Sequence, residues 1–185
     1  MAQVQGLISG MQNDAGPARR SGREVTYMEF LRTLWPNMQD GGRRSALHPS
    51  LVWTEIKSYI KGSVEACLAG GALCLDAYLD LGRKRSSMTE SQRREVYTLY
   101  ERYAREACKR GLWDQNDLVS DLWRRLDEHE RGGCAIDKLY ADEVQDFTQA
   151  EVALLVRLCR DPDSLFLCGD SAQTIARGVG FRFKD

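Results

Sequence analysis

Two stretches decide how this chain is read: Lys138-Leu139-Tyr140-Ala141-Asp142-Glu143-Val144-Gln145-Asp146 and, further on, Ser164-Leu165-Phe166-Leu167-Cys168-Gly169-Asp170-Ser171-Ala172-Gln173. Each opens as a short apolar run suited to a strand and then breaks into acidic or glycine-containing sequence. Between them, Thr148 to Cys159 reads as a helix. A strand, a helix and a second strand within about 30 residues form a βαβ unit with parallel strands. Carboxylates at the C-terminal end of a parallel strand stand where open α/β sheets bind ligands. Adjacent residues on an extended end project differently, so Asp142 and Glu143 suit separate tasks. One can hold Mg²⁺, usually through water, and the other can orient or deprotonate an attacking water. After the second strand, the neutral amide of Gln173 can hydrogen-bond a phosphate oxygen or a water without adding charge.

Upstream of this unit the texture is helical. Thr26-Tyr27-Met28-Glu29 is a capping box ahead of Phe30, Leu31 and Leu34, and Trp35-Pro36 is expected to end that short helix. Pro49 is placed as a first-turn proline for a helix carrying Leu51, Val52, Ile56, Tyr59 and Ile60, closed by Lys61-Gly62-Ser63. A further helix is expected over 64–69, whereas LCLDAYLDLG is ambiguous between a short helix and an extended turn. Thr89-Glu90-Ser91-Gln92 is a second capping box, opening a long helix to about Arg110. Its Tyr97, Tyr100 and Tyr103 fit a packing stripe better than a base-stacking platform. Leu118, Leu122 and Leu126 mark one more helix, broken by Gly132-Gly133. The expected organisation is a loose arm over 1–23, a helical region over 24–132 and part of an α/β domain over 133–185.

The chain has 185 residues and a formal net charge of −1, with 43% hydrophobic and 29% charged residues. That composition can bury a core, and no run of about 18 apolar residues is present, which argues against an ordinary membrane span. With no basic start and sustained apolar stretch to suggest a secretory leader, an intracellular location, nuclear or cytoplasmic, is expected. The near-neutral total hides a gradient. Residues 83–110 hold nine basic and four acidic groups, and residues 111–185 hold nine basic and fifteen acidic. The six cysteines form no C-x-x-C pair, and with only His48 and His129 beside them a zinc site is not expected.

DEVQD at 142–146 followed by GDSAQTI at 169–175 resembles motifs II and III of UvrD-like superfamily 1 helicases. Trp113-Asp114-Gln115-Asn116-Asp117-Leu118 is similar to the Asp-x-x-Asp-Leu segment that precedes motif II there. LVWTEIKSYIKGS, the Gly-Arg-Lys-Arg run and GDSAQTIARGVGFRF look like the helicase-like part of large tetratricopeptide- and ankyrin-repeat-containing proteins. The resemblance covers roughly residues 24–185. It implies an α/β fold, namely an incomplete RecA-like P-loop NTPase domain with a large, mostly helical insertion. It also implies ATP and Mg²⁺ as cofactors: Asp142 for the metal of Mg-ATP, Glu143 as the catalytic base, and Gln173 as the γ-phosphate sensor that couples hydrolysis to strand movement. Gln145, Asp146 and Asp170 would connect these groups to the nucleic-acid side. Arg83, Lys84 and Arg85 are the implied contact to single-stranded nucleic acid, DNA or RNA. One departure is Ala176, where many UvrD-like enzymes carry an aromatic soon after the Gln-x-Ile; Phe181 and Phe183 are the nearest replacements.

An ATPase of this kind needs a phosphate-cradling G-x-x-x-x-G-K-S/T loop, and none occurs in the 185 residues. Ile60-Lys61-Gly62-Ser63 has the order reversed and lacks the first glycine. The expectation is a fragment of an ATP-dependent helicase, working with the remainder of a helicase chain and with no appreciable ATPase alone. The alternative is a non-catalytic truncated paralogue that binds protein or nucleic acid. A metal-dependent nuclease built on Asp142, Glu143 and Asp146 is disfavoured, because the second motif has the ATPase pattern.

Overall fold

A computed structural model describes residues 22–39, 45–85, 88–128 and 136–170. The first helix, α1 (residues 27–38), starts at Thr26, whose side chain accepts from the Glu29 N–H. It then passes through π-helical Phe30–Leu34 into α-helical Trp35–Met38. Pro36 therefore does not end this helix. The widened π turn, in which Trp35 N–H bonds the Phe30 carbonyl, seats a ring that has no N–H to give. Helix α2 (residues 49–60) begins with Pro49 in its first turn and also ends π-helical, over Glu55–Ile60.

Helices α3 (Val64–Leu68), α4 (Leu75–Arg85), α5 (Glu90–Lys109) and α6 (Gln115–Glu128) follow. The ambiguous LCLDAYLDLG thus resolves as the start of α4. The capping box at α5 is formed in both directions between Thr89 and Gln92. Helices α1, α2, α4 and α5 enclose one core built on Phe30, Leu34, Trp53, Ile56, Tyr78 and Tyr103. Phe30 lies at its aromatic centre, 4.9 Å from the Trp53 ring and 6.1 Å from that of Tyr103. Tyr97 and Tyr103 spend their hydroxyls on the Leu73 carbonyl and Asp114, as packed tyrosines do.

Past residue 136 the order is β1 (Leu139–Ala141), a 3₁₀ turn at Val144–Asp146, α7 (Gln149–Leu158), a second 3₁₀ turn at Pro162–Ser164, and β2 (Leu165–Leu167). The strands pair in parallel, Leu139 opposite Leu165 and Ala141 opposite Leu167, so the expected βαβ unit is present. Thr148 caps α7 through a second reciprocal box with Glu151. One sheet face packs Leu139 against Leu155 of α7 and Cys159 just after it. On the other, Tyr140 and Phe166 stand exposed with their rings 5.9 Å apart.

The expected α/β class, an incomplete RecA-like P-loop NTPase domain with a helical insertion, is overturned. The described residues are mostly helical, and their sheet is a two-stranded parallel pair. Two three-residue strands cannot form a layer with a core of its own. The pair instead rests on α7, and α7 is built into the helical body. Ala150, Leu154 and Leu158 share a core with Cys67 of α3 and Val119, Leu122 and Trp123 of α6. The Ala150 N–H also bonds the Gly62 carbonyl at 2.9 Å. Gly62 permits that approach: a Cβ there would lie 2.0 Å from the Lys57 carbonyl oxygen and 2.9 Å from the Thr148 methyl.

Candidate functional site

At the C-terminal end of β1 the chain turns sharply. Asp142 and Glu143 are both exposed, and Asp142 Oδ1 accepts the Glu143 N–H at 2.9 Å. Glu143 has φ 57° and ψ 36°, and it is the only non-glycine residue with positive φ among the described residues. A long side chain in that left-handed region carries strain of about 1–3 kcal/mol, a cost concentrated at functional sites. The 3₁₀ turn that follows buries Val144 and Gln145.

The loop after β2 is fastened to this turn. Cys168 N–H donates to the Ala141 carbonyl at 2.8 Å and Val144 N–H to the Cys168 carbonyl at 3.0 Å. Gln145, 2% exposed, takes the Asp170 N–H on its Oε1 at 3.1 Å, and its Nε2 donates to the Glu143 carboxylate. Gly169 lies against that amide, where a Cβ would come within 2.5 Å of Gln145 Oε1. Asp142, Glu143, Gln145, Asp146 and Asp170 are thus gathered on two adjoining loops. Gln173 lies outside the described residues. Arg83, Lys84 and Arg85 form the last turn of α4, and their side chains lie outside the described ones.

A family model for the UvrD/REP helicase N-terminal domain matches residues 72–182. A curated relative, the TPR and ankyrin repeat-containing protein 1 of Homo sapiens, is 44% identical over 162 residues, which is 87% of this chain. The chain belongs to the UvrD/REP helicase family. It spans only 6% of that relative's length. No solved structure matches it. Among the described residues no helix is long and apolar enough to cross a membrane.

The Asp-x-x-Asp-Leu segment of this UvrD/REP chain proves to be a buried ion network. Lys61 Nζ, at the end of α2, lies 2.6 Å from Asp114 Oδ2 and 2.7 Å from Asp117 Oδ1. Tyr103 donates its hydroxyl to the same Asp114 oxygen at 2.6 Å, while the Asn116 and Asp117 N–H groups bond Oδ1. Burial opposes the charge on both partners. The two carboxylates outweigh it and raise the Lys61 pKa, while Lys61 and Lys57, helped by hydrogen bonds from Lys61 and Tyr103, hold Asp114 below the usual carboxylate range. The network ties α2, α5 and the start of α6 together. Sequence reading placed Lys61 as a helix-end cation, since nothing local signals a partner 53 residues away. A cavity of about 660 Å³ opens beside it, between α5, α6 and the Gly70-Gly71 turn.

Proposed function

We propose that this chain supplies the hydrolytic carboxylates of an ATP-driven helicase motor. The observation that carries the reading is the turn after β1, where Asp142 and Glu143 stand exposed side by side with the second motif's loop fastened against them. Mg²⁺ commonly takes one or two carboxylates, waters and substrate phosphates, and the hard oxygens of Asp142 fit that role. Among the described residues no group of three or more His, Cys, Asp or Glu side chains could hold a metal ion, and in this reading water and the nucleotide phosphates fill the rest of the shell. When bound, Mg²⁺ neutralises charge on the phosphates.

In this reading Glu143 accepts the proton of the attacking water while the bond between the γ-phosphorus and the leaving ADP oxygen breaks. The same reading gives Gln173 the γ-phosphate and has Gln145, Asp146 and Asp170 connect hydrolysis to the rest of the motor. Residues 136–170 carry eight acidic and three basic groups, a surface unsuited to a phosphate backbone. Contact with single-stranded nucleic acid is therefore assigned to the basic stretch from Arg83, Lys84 and Arg85.

The test is NMR of the native product that contains these residues, isotope-labelled over this segment and titrated with Mn²⁺ and ATP. The expected result is paramagnetic broadening centred on Asp142 and Glu143 and lost in Asp142→Asn. Broadening elsewhere, or none, overturns the assignment. The lack of a G-x-x-x-x-G-K-S/T loop in the 185 residues favours a second reading for the chain by itself, a non-catalytic binding module. Salt-dependent binding to single-stranded DNA, weakened when Arg83, Lys84 and Arg85 are neutralised, would support it.

A further inference from the structure

We propose that Gln145 is a positioning residue that aims the Glu143 carboxylate according to the state of the loop after β2. This rests on the reading of Glu143 as the base and adds what controls its orientation. A fully buried primary amide must satisfy its donors and acceptor inside the protein. Gln145 does so between the two motifs: Oε1 receives the Asp170 N–H at 3.1 Å, and Nε2 donates to Glu143. The amide is planar, so its ends move as one unit. Any shift of Asp170 that carries Oε1 with it also turns the N–H groups that hold the carboxylate.

Two further features tune this link. Glu143 sits in the left-handed region, which sets its side chain within reach of a residue only two positions on. Gly169 leaves the space that the amide oxygen occupies, since a Cβ there would lie 2.5 Å from Oε1 and 3.0 Å from the Val144 methyl. The backbone bonds from Cys168 to Ala141 and from Val144 to Cys168 hold the strand ends in register beneath it. A displacement beyond Gly169 therefore reaches Glu143 through the side chain of Gln145.

The test uses three variants of the labelled chain, read by amide hydrogen exchange at Asp170 and by the Glu143 side-chain carboxyl ¹³C resonance. Protection of the β1 and β2 amides serves as the check on folding. Gly169→Ala leaves the side chains of Gln145, Asp170 and Glu143 as they are, yet by crowding Oε1 it is expected to shift the Glu143 resonance, and to speed Asp170 exchange about fivefold or more. Gln145→Glu keeps the acceptor for Asp170 but loses the donor to Glu143, so Asp170 stays protected while Glu143 shifts. Gln145→Met disturbs both. A Glu143 resonance indifferent to Gly169→Ala, or identical behaviour of the two Gln145 variants, overturns the proposal, because a merely space-filling glutamine would give that result. The hydrolytic reading fails separately. Intact coupling with hydrolysis independent of Glu143 refutes the base assignment alone, and uncoupled spectra with Glu143-dependent hydrolysis refute the positioning role alone.

Discussion

Removing one partner of the Lys61–Asp114 pair should strongly destabilise the helical body. Asp114 is fully buried and Lys61 nearly so, 8% exposed at its side chain. Lys61→Met leaves the Asp114 carboxylate with the Tyr103 hydroxyl and two backbone N–H groups but without its cation. Breaking a buried pair in this way costs about 3–5 kcal/mol, against a total stability on the order of 5–15 kcal/mol for a domain. Asp114→Asn leaves Lys61 with Asp117 alone, which is one-third exposed at its side chain and so a weaker partner. Because the penalty is the orphaned charge, the double variant Lys61→Met/Asp114→Asn should be less destabilised than the sum of the two single changes by about 1–3 kcal/mol. Urea unfolding followed by circular dichroism, with all four proteins at one pH, measures this cycle. Single variants within 1 kcal/mol of the parent, or strictly additive effects, would refute the reasoning that the network closes the body.

Other expectations follow from the same contacts. The Asp114 pKa is lowered from 3.8 to about 2, so this carboxylate contributes stability above pH 4 that is lost as the pH falls through about 2; acid unfolding monitored at 222 nm should show the step, and it should vanish in Asp114→Asn. Lys61, whose pKa is raised, contributes in the opposite sense, with stability lost as pH climbs past its elevated value. Gly62→Ala should destabilise by about 1–3 kcal/mol and loosen α7, since the added Cβ meets the Lys57 carbonyl and Thr148; hydrogen exchange along α7 reports it. Glu143→Gly and Glu143→Ala both remove the carboxylate that Gln145 bonds, but only glycine accepts the positive φ freely, so the glycine variant should have the higher urea midpoint; an alanine variant as stable as the glycine one would show that the left-handed turn carries no strain.

The local pieces were legible in the sequence because they are local. The capping box at Thr89, the helix beginning at Thr148, Pro49 in a first turn and the apolar runs at Leu139 and Leu165 all state their structure within a few residues. The placement of Asp142 and Glu143 at a strand end was equally readable. What escaped depends on partners distant in the chain. Pro36 reads locally as a helix end, whereas the π turn ahead of it depends on packing of Phe30 and Leu34 in the core. The class was misjudged because a βαβ pattern does not reveal how few strands accompany it, nor that α7 is shared with α3 and α6. The resemblance names Gln145 as a link toward the nucleic-acid side, but its contacts to Asp170 and Gly169 exist only because β1 pairs with β2, which no local pattern states.

The most direct test of the hydrolytic reading is single-turnover ATP hydrolysis by the native product that contains these residues, purified from its source cells and compared with its Glu143→Gln variant. If Glu143 is the base, Mg-ATP binding is retained while hydrolysis falls by about a hundredfold or more, the scale of a lost general base. Hydrolysis unchanged by Glu143→Gln would contradict the account.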